Sequence, residues 1–307
     1  EATEGSVVRA RADTLTIASF LAMYVARYDQ GIVWTDEALE IYCNVGDEQG
    51  LAYALARSGH LAFSMGEIAP ALTRLQESLE LCNRIGYEDG IAWPLTLLAQ
   101  ARLWSGDQSD EVGEMLERGR RLFIAMGDTY GQVHANMFLS NVGNRTGEER
   151  RRYCEESVDL VDRPGADPLI RSVAFHNLAY SVWHAGESER AAGLNRLAAR
   201  SSAEMGVTVH SGMAFLQAAL FAGVAGDSKR AAVLYGAGDR FMTMEMPPFW
   251  ERQLQPGIDA AAAALGETKY RRLYEHGQAM SVEEATEYLL GSDQWVVRPA
   301  RGHTTNT

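Results

Sequence analysis

At 307 residues, with 46% hydrophobic and 22% charged side chains, the chain is long enough to bury a large core and has the balance of an ordinary soluble protein. Its 41 acidic against 28 basic residues leave a net charge of −13, which argues against a direct hold on nucleic acid, since phosphate binding needs clustered Lys and Arg. Cys43, Cys82 and Cys154 are widely spaced and odd in number, which supports neither a disulfide framework nor a zinc site and fits a reducing, cytoplasmic compartment.

No stretch reaches the roughly 18 apolar residues of a membrane span, and no signal peptide opens the chain. It begins at Glu1 without a methionine, as expected of a piece excised from something longer. The nearest basic runs, Arg118–Arg121 and Arg150–Arg152, sit beside Glu on predicted helices, where a solvated face is the expected role.

Residues 1–12 are polar and charged, a leader or frayed helix. From Asp13 the pattern turns helical, with Leu15, Ile17, Ala18, Leu21, Ala22 and Val25 at 3.6-type spacing. After a break near Arg27–Gly31, a second helix runs from about Val33 to Asn44 and stops at Gly46, the residue expected just past a helix end.

Thr35–Gly46 and Leu75–Gly86 then match at a spacing of forty: Glu37 with Glu77, Leu39 with Leu79, Glu40 with Glu80, Gly46 with Gly86. Such fixed-period similarity marks a repeat architecture. Gly66, Gly106, Gly147, Gly186 and Gly226 mark the turn inside successive helix pairs, and Gly46, Gly86, Gly127 and Gly206 mark turns between pairs. Asp167 and Pro168, as N-cap and first helical residue, stand in for the missing glycine. Seven residues before the inner-turn glycines come Gly59, Ala99, Ser140, Ala179 and Ala219; five after come Ala71, Ala191 and Ala231, with Glu111 and Arg152 as exceptions. Small residues there let two helices approach closely. The expected fold is all-α, an α-solenoid of six helix pairs over residues 13–241.

A bend at Met246–Pro248 leads to a helical C-terminal cap over 242–291, with helices near Phe249–Leu265, interrupted at Pro256–Gly257, and Glu267–His276. A last helix opens on the capping box Ser281–Glu284. Met242–Met246 reads as a packing hinge and 292–307 as a disordered tail apart from Trp295–Val297.

The pattern of Gly/Ala, Gly-Asp and Ala resembles tetratricopeptide (TPR) repeats, with a unit nearer 40 residues than 34. Leu75–Leu81 through Ile85–Gly86, and Ala231–Ala237 through Ala264–Gly266 and Met280–Ala285, resemble the TPR region of large bacterial regulators of the LuxR and STAND-ATPase type. That resemblance implies an effector- or partner-binding module that relays its state to the parent's ATPase and DNA-binding domains. No GxxxxGK[ST] phosphate loop and no basic recognition helix occur here.

In a TPR-like array the first helix of each pair lines the concave groove. The offsets place there Tyr53, His60 and Phe63, then Trp93, Gln100 and Trp104, then His134, Met137, Asn141 and Asn144, then His176, Tyr180, Trp183 and His184, and lastly Met213. Aromatic walls with polar tips fit a small molecule or peptide. The alternative is that Trp104 and Trp183 fill space between pairs while each His meets a backbone carbonyl. His176 and His184 lie two turns apart without HExxH, so no metal and no cofactor is expected. No nucleophile–base pair marks an enzyme. The competing expectation is a protein–protein scaffold, self-associating as a homodimer, without a small ligand.

Overall fold

The computed structural model describes residues 2–25, 27–143, 145–162, 165–206, 208–242 and 248–291. Among them are fifteen α-helices, one 3-10 turn at Asp89–Ile91 and no strand. The fold is an all-α helical repeat of the solenoid class, divided into two compact units, Glu1–Gly165 and Ala166–Thr307. No described helix is long and apolar enough to cross a membrane.

Four helix pairs form the first unit. They are α1 (Ala2–Tyr24) with α2 (Tyr28–Val45), α3 (Glu48–Ser64) with α4 (Ile68–Arg84), α5 (Ala92–Trp104) with α6 (Asp110–Met126), and α7 (Thr129–Leu139) with α8 (Gly147–Val161). Each helix packs on the next, and α1, α3, α5 and α7 also touch in succession. The first helices of the pairs therefore make one continuous layer. Residues 2–12, expected as a leader or frayed helix, are helical and open α1.

The second unit holds α9 (Pro168–His184) with α10 (Ser188–Met205) and α11 (Thr208–Val224) with α12 (Ser228–Phe241). Three further helices cover this unit's last pair: α13 (Pro248–Leu265), α14 (Glu267–Ala279) and α15 (Val282–Leu290), with α13 on α11 and α14 on α12. Six pairs and a helical cap thus match the periodicity. The tail at 292–307 and most of the Met242–Met246 hinge lie outside the described residues.

Local chemistry sets the boundaries. Asp47, Asp128 and Asp227 cap their helices by accepting from Gly50, Gly131 and Arg230 N–H groups. Asp167 accepts from Leu169 N–H at 2.8 Å, with Pro168 in the first turn, and Ser281 and Glu284 form the expected capping box. Four inner-turn glycines, Gly66, Gly106, Gly186 and Gly226, have φ of 80, 95, 86 and 83°.

Gly147 departs from that set. The reciprocal Thr146–Glu149 capping box starts α8 there, with Gly147 in its first turn. Its partner α7 ends early, at Leu139. In α13 the helix runs through Pro256 without the expected interruption. Gly257 beside it lets the α13 backbone meet α11, where a methyl on Gly223 would come 2.6 Å from the Gly257 carbonyl oxygen.

The small positions are buried as the spacing requires: Gly59 and Ser140, and Ala71, Ala99, Ala179, Ala191, Ala219 and Ala231. A methyl on Gly59 would meet Leu75 Cγ at 2.6 Å, so α3 and α4 approach through an absent side chain. Leu75, Leu97 and Leu116 are almost fully buried around these contacts, each contributing about 1.5–3 kcal/mol. Glu111, an exception to the pattern, is exposed and pairs with Arg102 while Val112 takes the buried place. At the cap, Gly277 of α14 faces the Val233 carbonyl and Gly236 of α12 faces the Tyr274 carbonyl. A methyl on either would lie 1.9 or 2.0 Å from that oxygen.

Candidate ligand site on the inner layer of the N-terminal unit

The four first helices of the N-terminal unit bring their chemistry-bearing side chains to one place. Helix α1 supplies Phe20; α3 supplies Tyr53, Arg57 and His60 at i, i+4 and i+7, one face of a helix. Helix α5 supplies Trp93 and Gln100, also seven apart, and α7 supplies Tyr130 and His134, four apart. Ring centroids of Phe20 and His60 are 6.3 Å apart, Phe20 and Tyr130 6.4 Å, and His60 and His134 6.2 Å. Trp93 lies 5.4 Å from Tyr130 and 5.5 Å from His134. Each helix contributes at least one ring.

Arg57 occupies the middle of this cluster. Its Cζ lies 4.3 Å from the Phe20 ring centre, 5.0 Å from Tyr53 and 5.2 Å from Trp93, within cation–π range of all three. The side chain is buried, at 8% exposure, and Nε and Nη1 have no hydrogen-bond partner. No ion pair reaches it among the described residues.

The histidines here are neutral at pH 7. Burial, and then the Arg57 charge, push His134 down to about 3. Burial is also the largest cause for His60, which is held well below the usual range with His134 and Arg57 adding to it. Nε2 of His134 lies 3.0 Å from Gln100 Oε1; an amide oxygen only accepts, so Nε2 carries the proton. Nδ1 of His60 is buried without a partner.

Five of the residues singled out from the sequence, Tyr53, His60, Trp93, Gln100 and His134, therefore meet. Trp104 does not join them: it stacks edge-on to Phe63 at 5.2 Å and packs on the apolar clusters around Leu97 and Leu103, as a filler between pairs would. Asn141 lies beyond the end of α7, where its Nδ2 donates to the Met137 carbonyl at 2.7 Å. Because α7 stops at Leu139, the helical offset that placed Asn141 on the groove no longer holds. Asn144 is outside the described residues.

A separate cluster forms in the second unit. Tyr180 and His184 on α9 have ring centroids 4.4 Å apart, Trp183 and His184 4.9 Å, and Trp183 stacks on Phe221 of α11 at 5.4 Å. Trp183 and Tyr180 also pack against the apolar group of Leu216, Leu220 and Leu254. His176 is buried, its carbonyl accepts from Gln217 Nε2 at 3.1 Å, and burial beside His210 pushes it down to about 3. His184 is exposed. No described group of three or more His, Cys, Asp or Glu is placed to hold a metal ion.

Arg57, Phe20 and Tyr130 were missed in the sequence. A signal for Arg57 was present: it lies between Tyr53 and His60 on one face, and its i±3 and i±4 neighbours, Ala54, His60, Tyr53 and Leu61, include no acid. No protein-family model matches the chain and no curated protein matches it. Chemically, the cluster offers one buried cation, two neutral imidazoles, an amide and aromatic walls. Such a set suits binding and orienting a ligand; it contains no nucleophile paired with a base.

Proposed function

We propose that the chain is the effector-binding helical-repeat module of a bacterial signalling regulator, with a small molecule held against the inner layer of its N-terminal unit. One observation carries this reading: four successive first helices converge aromatic and polar side chains around a buried arginine that no carboxylate neutralises. Burying such a charge costs several kcal/mol unless a partner supplies the opposite charge, so a purely structural cluster has little reason to keep it. The resemblance of Leu75–Gly86 and Ala231–Ala285 to bacterial regulators supplies the signalling context. An effector acting there shifts the parent's state only through different affinity for its two conformations.

Native mass spectrometry of the purified chain, followed by denaturing extraction, tests the reading. The expected result is an adduct of small-molecule mass that Trp93→Ala weakens. An adduct indifferent to Trp93→Ala but lost in Trp183→Ala would move the site to the second unit.

A second reading, a self-associating scaffold, draws on α1. There Ile17 and Leu21 are 54 and 59% exposed at i, i+4, with Val25 just past the helix end at 61%, an apolar stripe of the kind that docks on another helix. Sedimentation equilibrium that shows a dimer broken by Leu21→Glu, with no adduct in the mass spectrum, would favour it.

A further inference from the structure

We propose that Arg57 is the anion anchor of this face and that the ligand it takes is a small organic acid, one carboxylate on an aromatic or apolar body. The inference rests on the inner layer being a ligand site and adds the chemical class of the ligand.

The guanidinium geometry points to a carboxylate. Phe20, Tyr53 and Trp93 lie within 4.3–5.2 Å of Cζ, whereas its N–H donors, which lie in the guanidinium plane, have no partner at Nε and Nη1. A planar carboxylate accepts parallel N–H bonds in that plane. Less buried arginines of the same unit are already paired: Arg102 with Asp107 and Glu111, Arg120 with Glu156, Arg145 with Glu149. In a chain with 41 acids against 28 bases, an unpaired buried arginine is an exception that an incoming acid would resolve.

Charge and the chemistry of the walls define the rest of the ligand. His60 and His134 are neutral, so the face carries a single positive charge and matches a monoanion better than a phosphate dianion. The walls are rings, which take an apolar or aromatic body. His60 Nδ1, one turn further along α3 and also without a partner, offers one more polar contact. Rings of α1 and α7 meet at Phe20–Tyr130, 6.4 Å apart, and an extended peptide running along the layer would have to part them.

The test titrates the ¹⁵N-labelled 307-residue chain with benzoate, phenylacetate and indole-3-acetate, with their carboxamides, with phenyl phosphate, and with a short peptide ending in a free carboxylate. The readouts are the Arg57 Nε–Hε resonance and tryptophan fluorescence. At least one small acid is expected to move the Arg57 resonance and to bind roughly tenfold to a hundredfold more tightly than its carboxamide, as loss of a charged hydrogen bond implies. Arg57→Gln should abolish that preference and Arg57→Lys should keep part of it, with circular dichroism confirming that both fold. Acids and carboxamides titrating alike, or an acid held equally by Arg57→Gln, would overturn the proposal. So would tighter binding of phenyl phosphate or the peptide. Neutral compounds binding at Trp93 while no acid binds would sink the acid class and leave the site; no binding by any compound would sink both.

Discussion

His134 donates from Nε2 to Gln100 Oε1 across 3.0 Å, so the bond joining α7 to α5 on the inner layer fixes the proton on Nε2, while burial beside Arg57 keeps the ring uncharged. In the unfolded chain a histidine titrates near 6.5, whereas in the fold burial holds His134 at about 3 and His176 at about 3. The unfolded state therefore takes up protons first as the pH falls. Stability is fully present above about pH 6.5 and is lost progressively below it, by up to roughly 1.4 kcal/mol per pH unit for each such histidine. Urea unfolding at pH 7.5 and 5.5 should show a clear drop in midpoint, made smaller by His134→Asn. Equal midpoints would contradict the neutral-histidine assignment.

Arg57→Met should make the unliganded protein more stable, by about 1–3 kcal/mol, because it replaces a buried unpaired charge with an apolar chain of similar length. Thermal and urea melts measure this. A destabilised variant would mean that the three ring contacts outweigh the desolvation and that the arginine is structural.

Two glycine substitutions should have opposite signs. On Gly193, within α10, an added methyl meets nothing within 4 Å, so Gly193→Ala should stabilise by about 0.5–1 kcal/mol through helix propensity. On Gly277 the methyl would lie 1.9 Å from the Val233 carbonyl oxygen and 2.9 Å from the Ala237 nitrogen, and backbone cannot step aside as a side chain can. Gly277→Ala should therefore cost roughly 1–3 kcal/mol. Melting curves of the two variants that moved in the same direction would refute the described α12–α14 crossing.

The thiols give a quick check on burial. Cys43 is exposed, while Cys82 and Cys154 are buried, and burial pushes the Cys154 thiol up to about 12, far from the reactive thiolate. Under native conditions a maleimide should label Cys43 alone, with the other two reacting only in denaturant. Rapid labelling of Cys154 would show that α8 opens.

The helix pairs were legible because glycine leaves a regular trace. Gly66, Gly106, Gly186 and Gly226 each close a turn at positive φ, a demand only glycine meets cheaply, so their spacing reports the repeat directly. Gly147 carried the same letter for a different reason, the Thr146–Glu149 box that opens α8, and α7 ends early at Leu139, leaving Asn141 beyond the helix whose periodicity placed it. Tyr53, His60, Trp93, Gln100 and His134 could be located by counting from those glycines. Arg57 had only the weak signal of a groove face without a neighbouring acid, because an arginine on a helix reads as solvated and its burial depends on rings from α1 and α5 that are distant in sequence. Phe20 escaped because the first pair lacks an inner-turn glycine to count from.

The crossing of α12 and α14 through Gly236 and Gly277 also governs how such an array can change in length. Tandem duplication adds a pair of about forty residues wherever the new pair finds a like neighbour on each side. Between α10 and α11 it would. Beyond α12 it would have to pry apart two backbones already in contact where not even a methyl fits. The second unit is thus a ruler with one fixed end: lineages that lengthen or shorten it should do so ahead of α12, leaving the last pair and its three-helix cover to be inherited as one block.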